Sequence, residues 1–233
     1  MRLLGRTRSL LVPLLALALT VSVTAPGTPV SAARAAVCQL GESQAGATTL
    51  YNVFVPGTKF YALLEPSACT ACPTPPGVTL TAAGLRLKFN TACSLSLRVS
   101  VVGWLGTASC PRPNAAQVLC GPVEQIVADV AGEPGAYTVP LPPGCCIQQK
   151  AYLCLEVLDG PANALDLGFG TAGTGCVACV QRWEGGILPP GTWDLCDASY
   201  GLGQNVVLWA DAGCCDVTPA ERHSWGRLKV TYR

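Results

Sequence analysis

Residues 85–101 read LRLKFNTACSLSLRVSV. Leu85, Leu87 and Phe89 alternate with Arg86, Lys88 and Asn90; after a short break, Leu95, Leu97, Val99 and Val101 alternate with Ser94, Ser96, Arg98 and Ser100. Successive side chains of an extended chain point to opposite faces, so a period of two marks strands with one face in a core and one in water. Weaker alternation recurs at 51–55, 60–64, 137–141, 152–158, 165–169, 206–210 and 228–232. Turn dipeptides fall between many of these runs: Pro56-Gly57, Pro76-Gly77, Pro134-Gly135, Pro143-Gly144, Gly160-Pro161 and Pro190-Gly191.

No segment sustains a helical period. The best helical candidate, 115–130, is broken by Gly121-Pro122. Nine or more short strands with one-sided apolar faces point to an all-β fold. The expectation is an antiparallel β-sandwich with jelly-roll or Greek-key connections, a barrel being the alternative.

The first 35 residues follow a different logic. Arg2, Arg6 and Arg8 precede an uncharged run over 9–23, and small residues lead to Ala33-Arg34-Ala35. This is the pattern of a secretory signal peptide cleaved after Ala35, its apolar run too short for the roughly 20 residues of a membrane span. Residues 36–233 then form one exported domain, extracellular, periplasmic or at the cell surface, with no integral membrane segment. Cleavage removes four arginines and no acid, leaving eleven basic against fourteen acidic residues. A mature net charge of −3 is no footprint for nucleic acid.

All fourteen cysteines follow the cleavage site: Cys38, Cys69, Cys72, Cys93, Cys110, Cys120, Cys145, Cys146, Cys154, Cys176, Cys179, Cys196, Cys214 and Cys215. An even count in an exported chain implies a disulfide framework of up to seven bridges. Bonding sequence neighbours to each other misses normal disulfide geometry, so Cys145, Cys146, Cys214 and Cys215 should each have a distant partner, one of each pair facing the core and the other outward. The CxxC pairs, Cys69 with Cys72 and Cys176 with Cys179, read as structural disulfides, with a shared zinc site or a redox pair as the alternatives.

Chemistry-bearing motifs are sparse. His223 is the single imidazole, in a polar segment without a GxSxG elbow, and the P-loop, HExxH and dinucleotide signatures are missing. Glu156, inside the apolar run LCLEVL, and Glu184, beside Trp183, form the most plausible carboxylate pair for a glycoside hydrolase. Asp194, Asp197 and Asp211, with Asp216, flank a loop and are candidate oxygen ligands for calcium. Trp104 and Trp209 read as core, whereas Trp183, Trp193 and Tyr200 border Gly/Pro-rich loops. Aromatic faces set in a rigid loop suit stacking on sugar rings or on a partner's apolar side chains.

The runs YTVPLPPGCCIQQKAYLCLEV (137–157) and WDLCDASYGLGQNVVLWADAGCC (193–215) resemble parts of uncharacterised exported bacterial proteins rich in cysteine and proline. Those proteins carry β-sandwich modules similar to carbohydrate-binding or jelly-roll domains. The resemblance covers about residues 38–216 and implies a fold and an extracellular setting, with no functional residue carried over. The expected function is a non-enzymatic module that binds a glycan or a cell-surface protein through Trp183, Trp193 and Tyr200. The alternatives are a structural or surface-coat component and a hydrolase.

Overall fold

The computed structural model describes residues 38–51, 53–72, 77–172, 175–186 and 188–215. The expected signal peptide, His223, Asp216 and the strand expected at 228–232 lie outside them. Thirteen strands and one 3-10 turn (Pro66–Ala68) make up the regular structure of the described residues.

Two antiparallel sheets face each other. The first has β1 (Cys38–Glu42), β13 (Leu208–Cys214), β4 (Val78–Phe89), β10 (Leu167–Gly170) and β2 (Thr49–Leu50) in that order, with β7 (Gly135–Pro140) and β8 (Cys146–Ile147) also paired to β4. The second runs β12 (Thr192–Asp194), β11 (Gln181–Glu184), β3 (Lys59–Leu64), β9 (Ala151–Asp159), β5 (Cys93–Gly106), β6 (Pro111–Asp129). Among the described residues both sheets have open edges. The fold is therefore a sandwich and not a closed barrel.

The alternation in 85–101 explains how the two layers meet. Leu85, Leu87 and Phe89 point inward from β4 in the first sheet, and Leu95, Leu97, Val99 and Val101 point inward from β5 in the second. Phe60, Ala62 and Leu64 of β3, Leu153, Leu155 and Val157 of β9, and Leu208, Ala210 and Ala212 of β13 complete the same core. Burying one such aliphatic side chain contributes about 1.5–3 kcal/mol, so this shared core is the main favourable term. Among the described strands only β5–β6 and β11–β12 join strands consecutive in the chain; every other pairing connects distant segments.

Two local expectations need correction. Tyr51 and Val53–Val55, the described residues of 51–55, are not in a strand: pairing stops at Leu50, while Val53 and Phe54 are buried and Phe54 stacks on Phe169 at 5.3 Å. These side chains plug the layer between the sheets. The second correction concerns 115–130, the best helical candidate, of which 115–129 lie in the 19-residue strand β6. Among the described strands β6 lies at an edge, where a proline with no N–H to give is tolerated, and its register against β5 shifts beside Gly121-Pro122, a cis peptide.

Six disulfides join Cys38–Cys69, Cys72–Cys214, Cys110–Cys179, Cys120–Cys145, Cys146–Cys215 and Cys176–Cys196. As adjacency requires, Cys145 is buried and bonded to Cys120, while Cys146 is exposed and bonded to Cys215. Both CxxC pairs bond outward to distant partners, so they are neither redox pairs nor zinc ligands. The expectation that all fourteen cysteines are bridged is overturned, because Cys93 and Cys154 are free thiols. Cys154 sits mid-strand on β9 against Ser100 of β5 and Tyr61 of β3, with no cysteine opposite it. Cys93 opens β5 opposite Asp129.

Candidate functional site

The hairpin β11–β12 and the loop after it carry the aromatic residues singled out in the sequence. Alternation on β11 turns Trp183 into the core, where its ring stacks on Phe60 at 6.2 Å and its indole N–H donates to the Tyr200 carbonyl at 2.9 Å. Trp183 is only 5% exposed, which removes it as a stacking surface. Trp193 lies directly across the hairpin from Trp183 on the same face, but on edge strand β12, so it covers the rim of the core and stays half-buried. Its ring meets that of Tyr200 at 4.1 Å between centroids, and Tyr200 is 39% exposed.

Local chemistry holds this aromatic pair in place. The Trp193 indole N–H donates to the Pro189 carbonyl at 3.1 Å. The Asp197 carboxylate accepts the backbone N–H groups of Ser199 and Tyr200 at 2.7 and 3.1 Å, an Asx-type turn that sets the direction of Tyr200. Cys196, between the two aromatics in sequence, is tied to Cys176.

The aspartates expected to ligate calcium are occupied separately. Asp194 accepts the N–H groups of Cys179 and Cys196 at 2.6 and 2.9 Å and lies 3.4 Å from the Arg182 guanidinium. Asp197 makes the turn just described. Asp211, on β13 in the other sheet, accepts from the Trp209 indole at 3.1 Å and Gln39 at 2.9 Å. Among the described residues no group of three or more His, Cys, Asp or Glu is gathered to hold a metal ion, and Asp194, Asp197 and Asp211 do not form a common site.

The outer face of the six-stranded sheet carries a polar array that the sequence reading passed over. Cross-strand register places Glu124, Arg98, Glu156, Lys59, Glu184 and Thr192 in one row across all six strands. Arg98 donates to Glu124 at 2.8 Å and to Glu156 at 3.0 Å; Glu184 takes Lys59 at 3.3 Å, Tyr61 at 2.6 Å and Thr192 at 2.9 Å. Glu156 and Glu184 thus share a face, but Lys59 occupies the row between them and both carboxylates are already engaged. The next row holds Ser100, Cys154, Tyr61, Arg182 and Asp194.

Burial pushes the Cys154 thiol up to about 12, which keeps it protonated and poorly nucleophilic. Tyr61 is pushed far above the ordinary phenol range, first by burial and then by Cys154 and Glu184. Arg182 is nearly buried, donates to Cys110 Sγ and the Pro111 carbonyl, and pins the Cys110–Cys179 bridge over the sheet. Such a sealed network braces the sheet.

The family model of a domain of unknown function, DUF7451, matches residues 36–212, about three quarters of the chain. The chain belongs to the DUF7451 family. No curated protein matches it, and no solved structure does. The DUF7451 match takes in twelve of the fourteen cysteines, ending just before Cys214 and Cys215. Two of the six bridges, Cys72–Cys214 and Cys146–Cys215, therefore reach past the matched segment.

The disulfide-rich β character implied by the resemblance is present in the structure itself, with two antiparallel sheets and six bridges. Among the described residues no helix is long and apolar enough to cross a membrane. Six disulfides fit an oxidising compartment.

Proposed function

We propose that this DUF7451 chain is an exported, non-enzymatic β-sandwich module that binds an extracellular ligand, a glycan in the first instance, on the Trp193–Tyr200 pair. The observation that carries the reading is the 4.1 Å contact between these rings on a loop held by the Cys176–Cys196 bridge, with Tyr200 open to solvent. A pre-set aromatic surface binds without much loss of side-chain freedom, and exposed aromatic faces suit the apolar faces of sugar rings. Export is supported by the leader pattern and by the six disulfides, which fit an oxidising compartment. Screening the oxidised protein and its Trp193→Ala and Tyr200→Ala variants on a glycan array tests the reading. Binding by the parent protein that both variants lose supports it, and equal binding by all three refutes it.

A second reading, a structural component of a surface assembly, is favoured by a different feature. β6 pairs with β5 alone among the described strands, and Val118, Leu119 and Ile126 on it are exposed. A long strand with one free edge is a template for pairing with another chain. The hydrolase reading has less support, since Lys59, Arg98, Tyr61 and Thr192 already engage Glu156 and Glu184.

A further inference from the structure

The hydrogen-bonding phase of β6 follows from its neighbours. Leu63 of β3 donates its N–H to Val180, toward β11, whereas Val157 of β9 donates to Thr58, on the β3 side. Backbone groups of successive residues in a strand point to opposite neighbours. Carried through the registers Phe60↔Leu155, Glu156↔Arg98 and Leu97↔Gln125, this alternation turns the N–H and C=O groups of Val123, Gln125 and Val127 toward β5. Those of Glu124, Ile126 and Ala128 therefore point off the sheet. The Ile126 carbonyl accepts its own neighbour's side chain, Gln125 Nε2, at 3.0 Å, as expected of an acceptor without a strand partner among the described residues.

That edge is self-complementary. We infer that β6 pairs antiparallel with β6 of a second copy of this chain, about a two-fold axis at Ile126. In this register Ile126 meets its own copy, Glu124 meets Ala128 and Gln125 meets Val127, and each outward N–H finds an outward C=O. Two copies of Ile126, 64% exposed in the single chain, cover each other on the outer face. No carboxylate meets another: Glu124 is neutralised by Arg98 at 2.8 Å, and Asp129, which accepts the Tyr137 hydroxyl at 2.6 Å, faces Val123. The two six-stranded sheets become one continuous sheet of twelve. The partner contact is isologous, the commonest symmetry of soluble oligomers. It lies on β6, whereas the aromatic pair sits at β12, at the opposite end of the strand order, so this inference rests on the assembly reading and stands apart from glycan binding.

Sedimentation velocity of the oxidised exported chain over a concentration series tests the pairing. The expected result is a concentration-dependent dimer. Ile126→Lys, which brings two cations together on the axis, should weaken it by at least roughly tenfold with thermal stability unchanged. Directly opposed Cα atoms of a hydrogen-bonded pair are about 5.5 Å apart, within disulfide reach, so Ile126→Cys should form a covalent dimer under mild oxidation where the parent does not. Trp193→Ala should leave the dimer intact, which separates failure of this inference from failure of the glycan reading. A monomer at the highest soluble concentration, or a dimer indifferent to Ile126→Lys, overturns the pairing. So does a dimer seen only after residues 216–233 are deleted, since the chain's own segment would then cover the edge.

Discussion

The hydroxyl of Tyr61 donates to Glu184 Oε1 at 2.6 Å, across the boundary between β3 and β11. Because Lys59 and Thr192 reach the same carboxylate, one acid at the sheet's far side gathers three neighbouring strands. Tyr61 also packs edge-on against Tyr152, with ring centroids 6.4 Å apart, beside the thiol of Cys154. Three weak acids thus sit together in their neutral forms under the Cys110–Cys179 bridge.

This cluster predicts sensitivity to alkali. Burial pushes Tyr152 and Cys154 up to about 12, and Tyr61 higher still. A raised folded-state pKa means that the unfolded chain gives up its protons first, so the stabilisation is complete below the ordinary thiol value of 9.0 and is lost as pH rises from there through about 12. Each group costs about 1.4 kcal/mol per pH unit across its own window. The thermal midpoint, measured in Cys93→Ser so that a thiolate does not reshuffle the bridges, should fall steadily above pH 9, and less steeply in Tyr61→Phe. A midpoint flat from pH 8 to 11 would show that these groups ionise freely in the folded state.

Two thiols, not none, should react with a disulfide reagent after denaturation, because Cys93 and Cys154 are unbonded. In the native protein at neutral pH, Cys154 should be inert, being 6% exposed with a raised pKa. Cys93 is also raised by burial but is less enclosed, and should react slowly. Counting modified cysteines by mass spectrometry with and without denaturant checks this. Four or more reactive thiols would mean that one of the six bridges is misassigned.

The two tryptophans of the β11–β12 hairpin should separate by phenotype although they face each other. Trp183→Ala empties a core site and should cost about 3–5 kcal/mol. Trp193→Ala, at the rim, should cost clearly less stability while weakening ligand binding by about 1–3 kcal/mol, by analogy with stacked bases. Denaturant unfolding of both variants gives the first comparison. Equal losses of stability would make Trp193 a second core plug and leave the aromatic surface without its base.

Removing Cys176–Cys196 by double Ala substitution opens a loop of 20 residues and should cost about 3 kcal/mol on the chain-entropy estimate. The Trp193–Tyr200 pair should lose its fixed geometry at the same time. Near-ultraviolet circular dichroism reports the aromatic environment, and an unchanged aromatic signal would show that the Asp197 turn suffices without the bridge.

Much of the layer structure was legible in the primary sequence, because alternation is a local property. The runs at 85–89 and 95–101 need only a count of two to assign their inward faces, and both sets of leucines and valines lie in the core. Adjacency alone required separate partners for Cys145 and Cys146. β6 was not legible: Gly121-Pro122 reads as a breaker, and an edge strand shows no clean alternation because both of its faces touch water.

Composition and local pattern determined an all-β chain with cysteines bonded to distant partners, since strand period, turn residues and disulfide reach act over a few bonds. Tertiary pairing decided the rest. It put Trp183 inside and Tyr200 outside and left Cys154 without a cysteine to meet. It also set Glu156 and Glu184 in one row with Lys59 between them and left β6 at an edge. Eleven strand pairings hold the described residues together, and only two of these join consecutive strands. Which side chains meet was therefore settled by contacts between residues far apart in sequence, for which local alternation carries no information.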